Sequence, residues 1–374
     1  MKFGERLTAF VARLTPTQKA AAGVLVLALA VGGTVVGLVA AGAGSSDPAA
    51  LSAIPPPPTT SSTPTPKPKP TPKPKPKPKP KPKPVNPLTG IGPVPKGPVI
   101  AVKIDDTGNG RPQRGVDQAD IVYVEQAEGG LTRLVAVFGS QKPVVEAVRS
   151  VRTSDPELLS QYGRITLVAS GGGGDSLPTL DRSILHSVIN DRGGVGFARD
   201  GGRPVPYNLT SNLAAVSATS HGASAKSIGF TWAAKLSGVR ASSRGQVVHT
   251  VVGGTPVDFQ WDPARHKYLR LIGGVPQRAA DGRAIATPNV IVQYCQVSVH
   301  PGDVDVAGNP AQYTHSIGHG KVVVFRNGKR IDGTWSRPSA KAGTTLLTPG
   351  RKPISLAPGG AWVILVATGA PLSS

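Results

Sequence analysis

One cysteine in 374 residues leaves no partner for an internal disulfide. Cys295 lies in the apolar run 289–299 and reads as a small buried hydrophobe rather than a nucleophile. Acidic residues are scarce, 21 Asp and Glu against 42 Lys and Arg, giving a formal charge of +21. Charge is missing altogether from residues 20–46. No Lys-Ser/Thr follows the glycine run 171–174, as a phosphate-binding P-loop requires, and no G-x-S-x-G elbow accompanies Ser220-His221 or Ser316, which speaks against a serine hydrolase.

The uncharged segment is the strongest positive feature. As a helix, residues 21–43 would rise roughly 34 Å at about 1.5 Å per residue, enough to cross a hydrocarbon core of about 30 Å. Lys2, Arg6, Arg13 and Lys19 precede it against the single acid Glu5, and no basic residue follows until Lys67. The positive-inside bias therefore puts residues 1–20 in the cytoplasm and the rest of the chain outside. Ala41-Gly42-Ala43 has the small-x-small form of a signal-peptidase site, but the apolar run exceeds the usual signal-peptide core, so a retained anchor is the expectation.

Residues 44–85 form a Pro/Lys-rich linker. Alternating Lys and Pro over 67–84 fixes φ at every second residue and removes half the backbone donors, which excludes helix and sheet and leaves an extended polyproline II stalk. Fully extended, residues 47–86 would reach roughly 120 Å at about 3.1 Å per residue. An outward-facing domain on such a stalk has no nucleic acid to meet. The +21 divides unevenly: residues 85–374 hold thirty Lys and Arg and nineteen acids.

The expected fold class is α+β, an α/β domain over 86–225 followed by a mainly antiparallel β-rich domain over 226–370. Residues 98–104 and 164–169 read as strands, and 119–127 with 131–138 as a hairpin about Glu128-Gly129-Gly130. Ser154-Asp155-Pro156-Glu157 has the form of a capped helix start, with Ser154 as N-cap and Glu157 at capping-box spacing. Further helices are expected over 177–189 and 209–218. Later come short β-branched runs at 257–261, 267–272, 290–299, 321–326 and 361–366, with Asn327-Gly328 as a hairpin turn.

A series of short strings resembles the YerB-like lipoprotein family of bacterial envelope proteins, a domain of unknown function. They are Asn86-Pro87-Leu88-Thr89-Gly90, Arg111-Pro112-Gln113, Ala119-Asp120-Ile121-Val122-Tyr123, Glu128-Gly129-Gly130 with Thr132-Arg133, Val148-Arg149-Ser150 with Arg152, Pro206-Tyr207-Asn208-Leu209, and Asn289-Val290 with Val292-Gln293. The likeness runs over residues 86–368. It implies a two-part envelope domain and supplies no reaction. The chain departs from the lipoprotein pattern, having no cysteine near the end of its apolar segment to take a lipid, so the transmembrane helix would replace the lipid anchor.

Two site readings follow from the residues themselves. Arg149 and Arg152 precede an expected helix start, and with Arg111 and Arg133 they could grip a phosphate or carboxylate in bidentate fashion. The competing expectation is that these arginines brace loops by pairing with Asp105, Asp106, Asp120, Glu125 or Glu128. Alternatively, Asp105 or Asp106 with Glu125 or Glu128 could form the paired carboxylates of a hydrolase acting on wall glycans. His315 and His319 lie in glycine- and strand-rich surroundings that spoil a helical zinc pair, so neither metal nor cofactor is expected. The partners expected are a cell-envelope polymer or small anionic ligand, and the membrane through residues 21–43.

Overall fold

The computed structural model describes residues 84–305 and 308–374. The anchor expected over 21–43 and nearly all of the linker lie outside the described residues, among which no helix is long and apolar enough to cross a membrane.

In chain order come β1 (Ile100–Asp105), β2 (Ile121–Gln126), β3 (Thr132–Phe138), β4 (Val144–Glu146), helix α1 (Asp155–Leu159), β5 (Thr166–Ala169), α2 (Ser176–Asp181), β6 (His186–Ile189), β7 (Phe197–Arg199), β8 (Leu209–Asn212) and α3 (Leu213–Thr219). An extended stretch then leads to β9 (Val247–Val252), β10 (Thr255–Asp262), β11 (Lys267–Ile272), β12 (Val275–Pro276), β13 (Ala286–Thr287), β14 (Asn289–Cys295), β15 (Val297–Val304), β16 (Pro310–Thr314), β17 (Gly318–Arg326), β18 (Lys329–Arg337), β19 (Thr345–Leu347), β20 (Ala361–Ala367) and β21 (Leu372–Ser373). The described chain is thus mostly strand with a few short helices, a more β-rich fold than the expected α/β first half.

Ten strands form one sheet in the order β19-β18-β17-β14-β20-β2-β3-β1-β5-β6. Strand β20, near the C-terminus, lies parallel to both β14 and β2, so strands from either side of residues 220–230 hydrogen-bond into one sheet. The second half is mainly antiparallel, as expected, with one parallel pair inside it: β20 runs parallel to β14 and also to β2 of the first half, so these three strands form a parallel centre flanked by antiparallel hairpins. The parallel centre explains why β14 is buried along its whole length, since strands covered on both faces read as continuous apolar runs.

Alternation sorts the side chains into two layers. Ala101, Tyr123, Val135, Val137, Val363 and Leu365 face one side, where Leu158, Tyr162, Ile228 and Phe230 cover them. Val102, Ile104, Val122, Leu134, Ala136 and Ile364 face the other, against Val145, Leu213 and the inner face of a second sheet, β12-β11-β10-β9-β21. A buried Val or Leu of this kind contributes about 1.5–3 kcal/mol relative to exposure.

Three helix expectations need correction. The stretch 177–189 holds only the short α2, then a turn and strand β6, which pairs parallel with β5. Strand β8 occupies the first four residues of 209–218, and Asn212 at its end caps α3 by accepting from the amides of Ala214 (3.1 Å) and Ala215 (3.2 Å). At α1 the Ser154 side chain makes no capping bond. Instead Asp155 Oδ2 accepts from the Arg152 amide at 2.6 Å, while Glu157 reaches away to the amides of Ser316 (2.7 Å) and Ile317 (3.1 Å). The expected hairpins are present: β2 pairs β3 across Glu128–Gly130, and Asn327 and Gly328 both take positive φ between β17 and β18.

Candidate functional site

The site begins where β1 ends. Asp105 and Asp106 are adjacent, and alternation sends them to different faces of the sheet. Asp105 lies opposite Arg133 of β3 in the register, and its Oδ2 meets both Arg133 Nη2 (3.6 Å) and Arg149 Nε (3.2 Å). Its Oδ1 is taken by the amide of Thr107 at 2.7 Å. Asp106 turns toward the second sheet, where Arg270 of β11 grips it bidentately at 2.8 and 2.6 Å and Thr132 donates at 2.7 Å. Arg111 stands 3.7 Å from the same carboxylate and bonds the Asp106 carbonyl. Burial would raise the Asp106 pKa, but the charge and hydrogen bonds of Arg270, with Arg111 and Thr132, outweigh it and hold the carboxyl below its ordinary value.

On the Asp105 face a second buried group lies deeper in the sheet. Lys103 of β1, fully enclosed, bonds Glu125 of β2 and reaches Asp155 at 2.9 Å. Burial, then the neighbouring Asp155 carboxylate, push the Glu125 pKa up, with Lys103 opposing. The two acids repel each other, and Lys103 between them is the cation that pairs with both and lets the group persist in an apolar layer.

Glu128 belongs to the turn between β2 and β3 rather than to a strand, so it leaves the line of Glu125 and pairs with Arg152 (2.5 and 2.6 Å). Burial would raise the Glu128 pKa, yet the Arg152 charge lowers it overall. Arg149 and Arg152 line a small cleft of about 210 Å³ together with Glu128, Ser150, Gly173 and Asp305. The glycine loop borders it because the Val151 amide donates to the Gly171 carbonyl at 2.9 Å. Arg149 also lies over the Tyr207 ring, 5.2 Å from its centroid, a cation–π contact. For Arg133, burial first and then repulsion from Arg152 and Arg149 lower the pKa against the pull of Asp105, so three guanidiniums stand close together.

Of the four arginines singled out in the sequence, Arg133, Arg149 and Arg152 come together, whereas Arg111 belongs to the Asp106 group on the other face. Each of the four has a carboxylate partner, as the bracing expectation holds. Among the four candidate acids, Asp105, Asp106 and Glu125 are at most 1% exposed and engaged by cations. Of these four only Glu128 lines the cleft, so no pair of the candidate acids forms there. Sequence reasoning missed Lys103, Asp155, Arg270 and Tyr207. A lysine inside the apolar run Ile100–Asp105 and an arginine inside Lys267–Ile272 were the available signals, because charge within a buried strand demands a partner.

These buried ion pairs lie at one end of a mixed sheet backed by a second sheet, in a β-rich fold. Residues 88–227 match the N-terminal domain, and residues 247–363 the C-terminal domain, of DUF3048, a protein of unknown function. The chain belongs to this YerB-like family. It is similar to the protein named "Putative lipoprotein YerB" of Bacillus subtilis (strain 168), 46% identical over 54 residues, a match spanning 14% of this chain and 16% of that relative. The crystal structure of YerB protein from Bacillus subtilis superposes with a TM-score of 0.66 at 22% identity, over 78% of this chain and 100% of that one, a likeness of fold.

Proposed function

We propose that this protein is an extracytoplasmic binding protein, held to the cell membrane by a single helix over 21–43 with its N-terminus in the cytoplasm, whose arginine cleft takes a small anionic group of an envelope polymer. The observation that carries the reading is the sharing of Asp105 Oδ2 by Arg133 and Arg149, with Arg152 beside them. Three guanidiniums stand against Asp105, Glu128 and, at the cleft edge, Asp305, so the attraction for an anion rests on guanidinium donors left over from these pairs rather than on net charge. Arg149, 20% exposed in its side chain, offers its remaining donors to the opening. A volume of about 210 Å³ falls below the roughly 300–1,000 Å³ of sites that enclose drug-sized ligands, so the cleft suits a phosphate, a carboxylate or one small charged headgroup. The lipoprotein name of the Bacillus subtilis relative supports an envelope location.

Glycan hydrolysis is the weaker reading, because Asp105, Asp106 and Glu125 are buried and neutralised. Co-sedimentation of the full chain with isolated cell-wall polymer tests the proposal. Wild type and an Arg149→Ala/Arg152→Ala variant carry the same cationic stalk, so any difference belongs to the cleft. Binding that weakens in the folded variant supports the reading; equal binding by both overturns it.

A further inference from the structure

A second cleft, of about 560 Å³, is built from distant parts of the chain. Arg114 follows β1, Pro143 and Glu146 flank and end β4, Asp200 and Arg203 follow β7, and Asp281 comes from the loop before β13. Backbone hydrogen bonds fix this arrangement: Arg114 and Glu146 exchange amide-to-carbonyl bonds (3.0 and 3.2 Å), and the Ala280 amide donates to the Gln113 carbonyl at 2.9 Å.

The Glu146 side chain is the unusual element. The residue is 4% exposed, yet neither carboxylate oxygen accepts a hydrogen bond among the described residues, and Oε1 is buried. Arg203 Nε is 3.8 Å away, beyond hydrogen-bond reach, because the terminal nitrogens of Arg203 are committed to the carbonyls of Gly110 (3.0 Å) and Pro112. A buried carboxylate without donors is costly, and a ligand bringing N–H groups would recover that cost. Burial, with the Asp200 carboxylate adding to it, holds the Glu146 pKa above its ordinary value against the opposing charges of Arg203 and Arg114, so all three flanking charges stand near the carboxylate. Arg114 is exposed, and its guanidinium has no hydrogen-bond or ion-pair partner among the described residues.

We propose that this cleft binds a zwitterion of amino-acid to short-peptide size, its ammonium directed to Glu146 and Asp200 and its carboxylate to Arg114. A simple anion would meet Glu146, Asp200 and Asp281, and a simple cation would meet Arg114 and Arg203. Only a ligand carrying both charges satisfies the two sets together. The ammonium supplies the donors that Glu146 lacks, and the open guanidinium fork of Arg114 matches a carboxylate.

The test is calorimetric titration of the full chain with alanine and alanylalanine, alongside N-acetylated and C-amidated alanylalanine. Saturable binding of a free zwitterion is expected, weakened about tenfold or more by N-acetylation or Glu146→Gln and by C-amidation or Arg114→Ala. Binding lost in Arg149→Ala but kept in Glu146→Gln and Arg114→Ala would place the zwitterion in the arginine cleft and overturn the proposal. Glu146→Gln is isosteric, and Arg114→Ala removes an exposed side chain, so at least one variant reports on a folded protein. No binding of either zwitterion at millimolar concentration, or binding indifferent to both substitutions, overturns the proposal.

Discussion

Asp105 and Asp106 are consecutive in the chain but anchor opposite faces of the ten-stranded sheet, Asp105 through Arg133 and Arg149, Asp106 through Arg270. One step along β1 thus ties the first half of the chain to the arginine cleft on one side and to the second sheet on the other. The strings Arg111-Pro112-Gln113, Thr132-Arg133, Arg149 with Arg152, and Tyr207, far apart in sequence, meet around these two carboxylates.

Asp105→Asn should leave Arg133 and Arg149 uncompensated in a largely buried setting. Removing one partner of such a group costs about 3–5 kcal/mol, toward the lower end here because Arg149 is part-exposed. Urea unfolding followed by circular dichroism checks this, and a loss under about 1 kcal/mol would mark the pairing as incidental.

The Asp106 pair should make the fold sensitive to acid. Its folded pKa is lowered, so the stabilisation is fully present above the ordinary carboxylate value and is lost as pH falls through the lower folded value. Denaturant midpoints measured from neutral pH downward should decline more steeply for wild type than for Asp106→Asn. Parallel pH profiles would show that the Arg270 pair carries no such linkage.

Gly115 has φ of 76°, and a Cβ there would stand 2.7 Å from the Val144 carbonyl oxygen. Gly115→Ala combines left-handed strain with a clash against backbone that cannot swing away. A loss of about 1–3 kcal/mol is expected in thermal or urea unfolding. An unchanged midpoint would mean that this segment does not pack tightly on β4.

Cys295 is 1% exposed, and burial pushes its thiol up to about 12. Iodoacetamide should therefore leave the native protein unmodified over hours at neutral pH and add one adduct in denaturant, read by intact mass. Rapid native labelling would contradict the burial.

Much of the strand content was legible because short β-branched runs such as Lys267–Ile272 and the turn at Asn327-Gly328 carry local signals. The helix expected over 177–189 failed for the opposite reason. Its apolar spacing fits a helix, but β6 gains a parallel partner in β5 that no local window can reveal. The same holds for β20, whose place between β14 and β2 is a long-range choice. At the site, the arginines and acids were visible as residue types, whereas their pairing was not. Asp106 finds Arg270 from across 164 positions of sequence, and Arg111 is drawn to that group instead of joining Arg149.

The most direct test of the anion-binding account is titration of the full chain with inorganic phosphate and with glycerol phosphate, comparing wild type with Arg149→Ala after both are shown to unfold at similar temperatures. The account predicts saturable binding that weakens with added salt and falls about tenfold or more in the variant. Equal affinity in the two proteins would contradict it and leave Arg133, Arg149 and Arg152 as braces for the loops around Asp105 and Glu128.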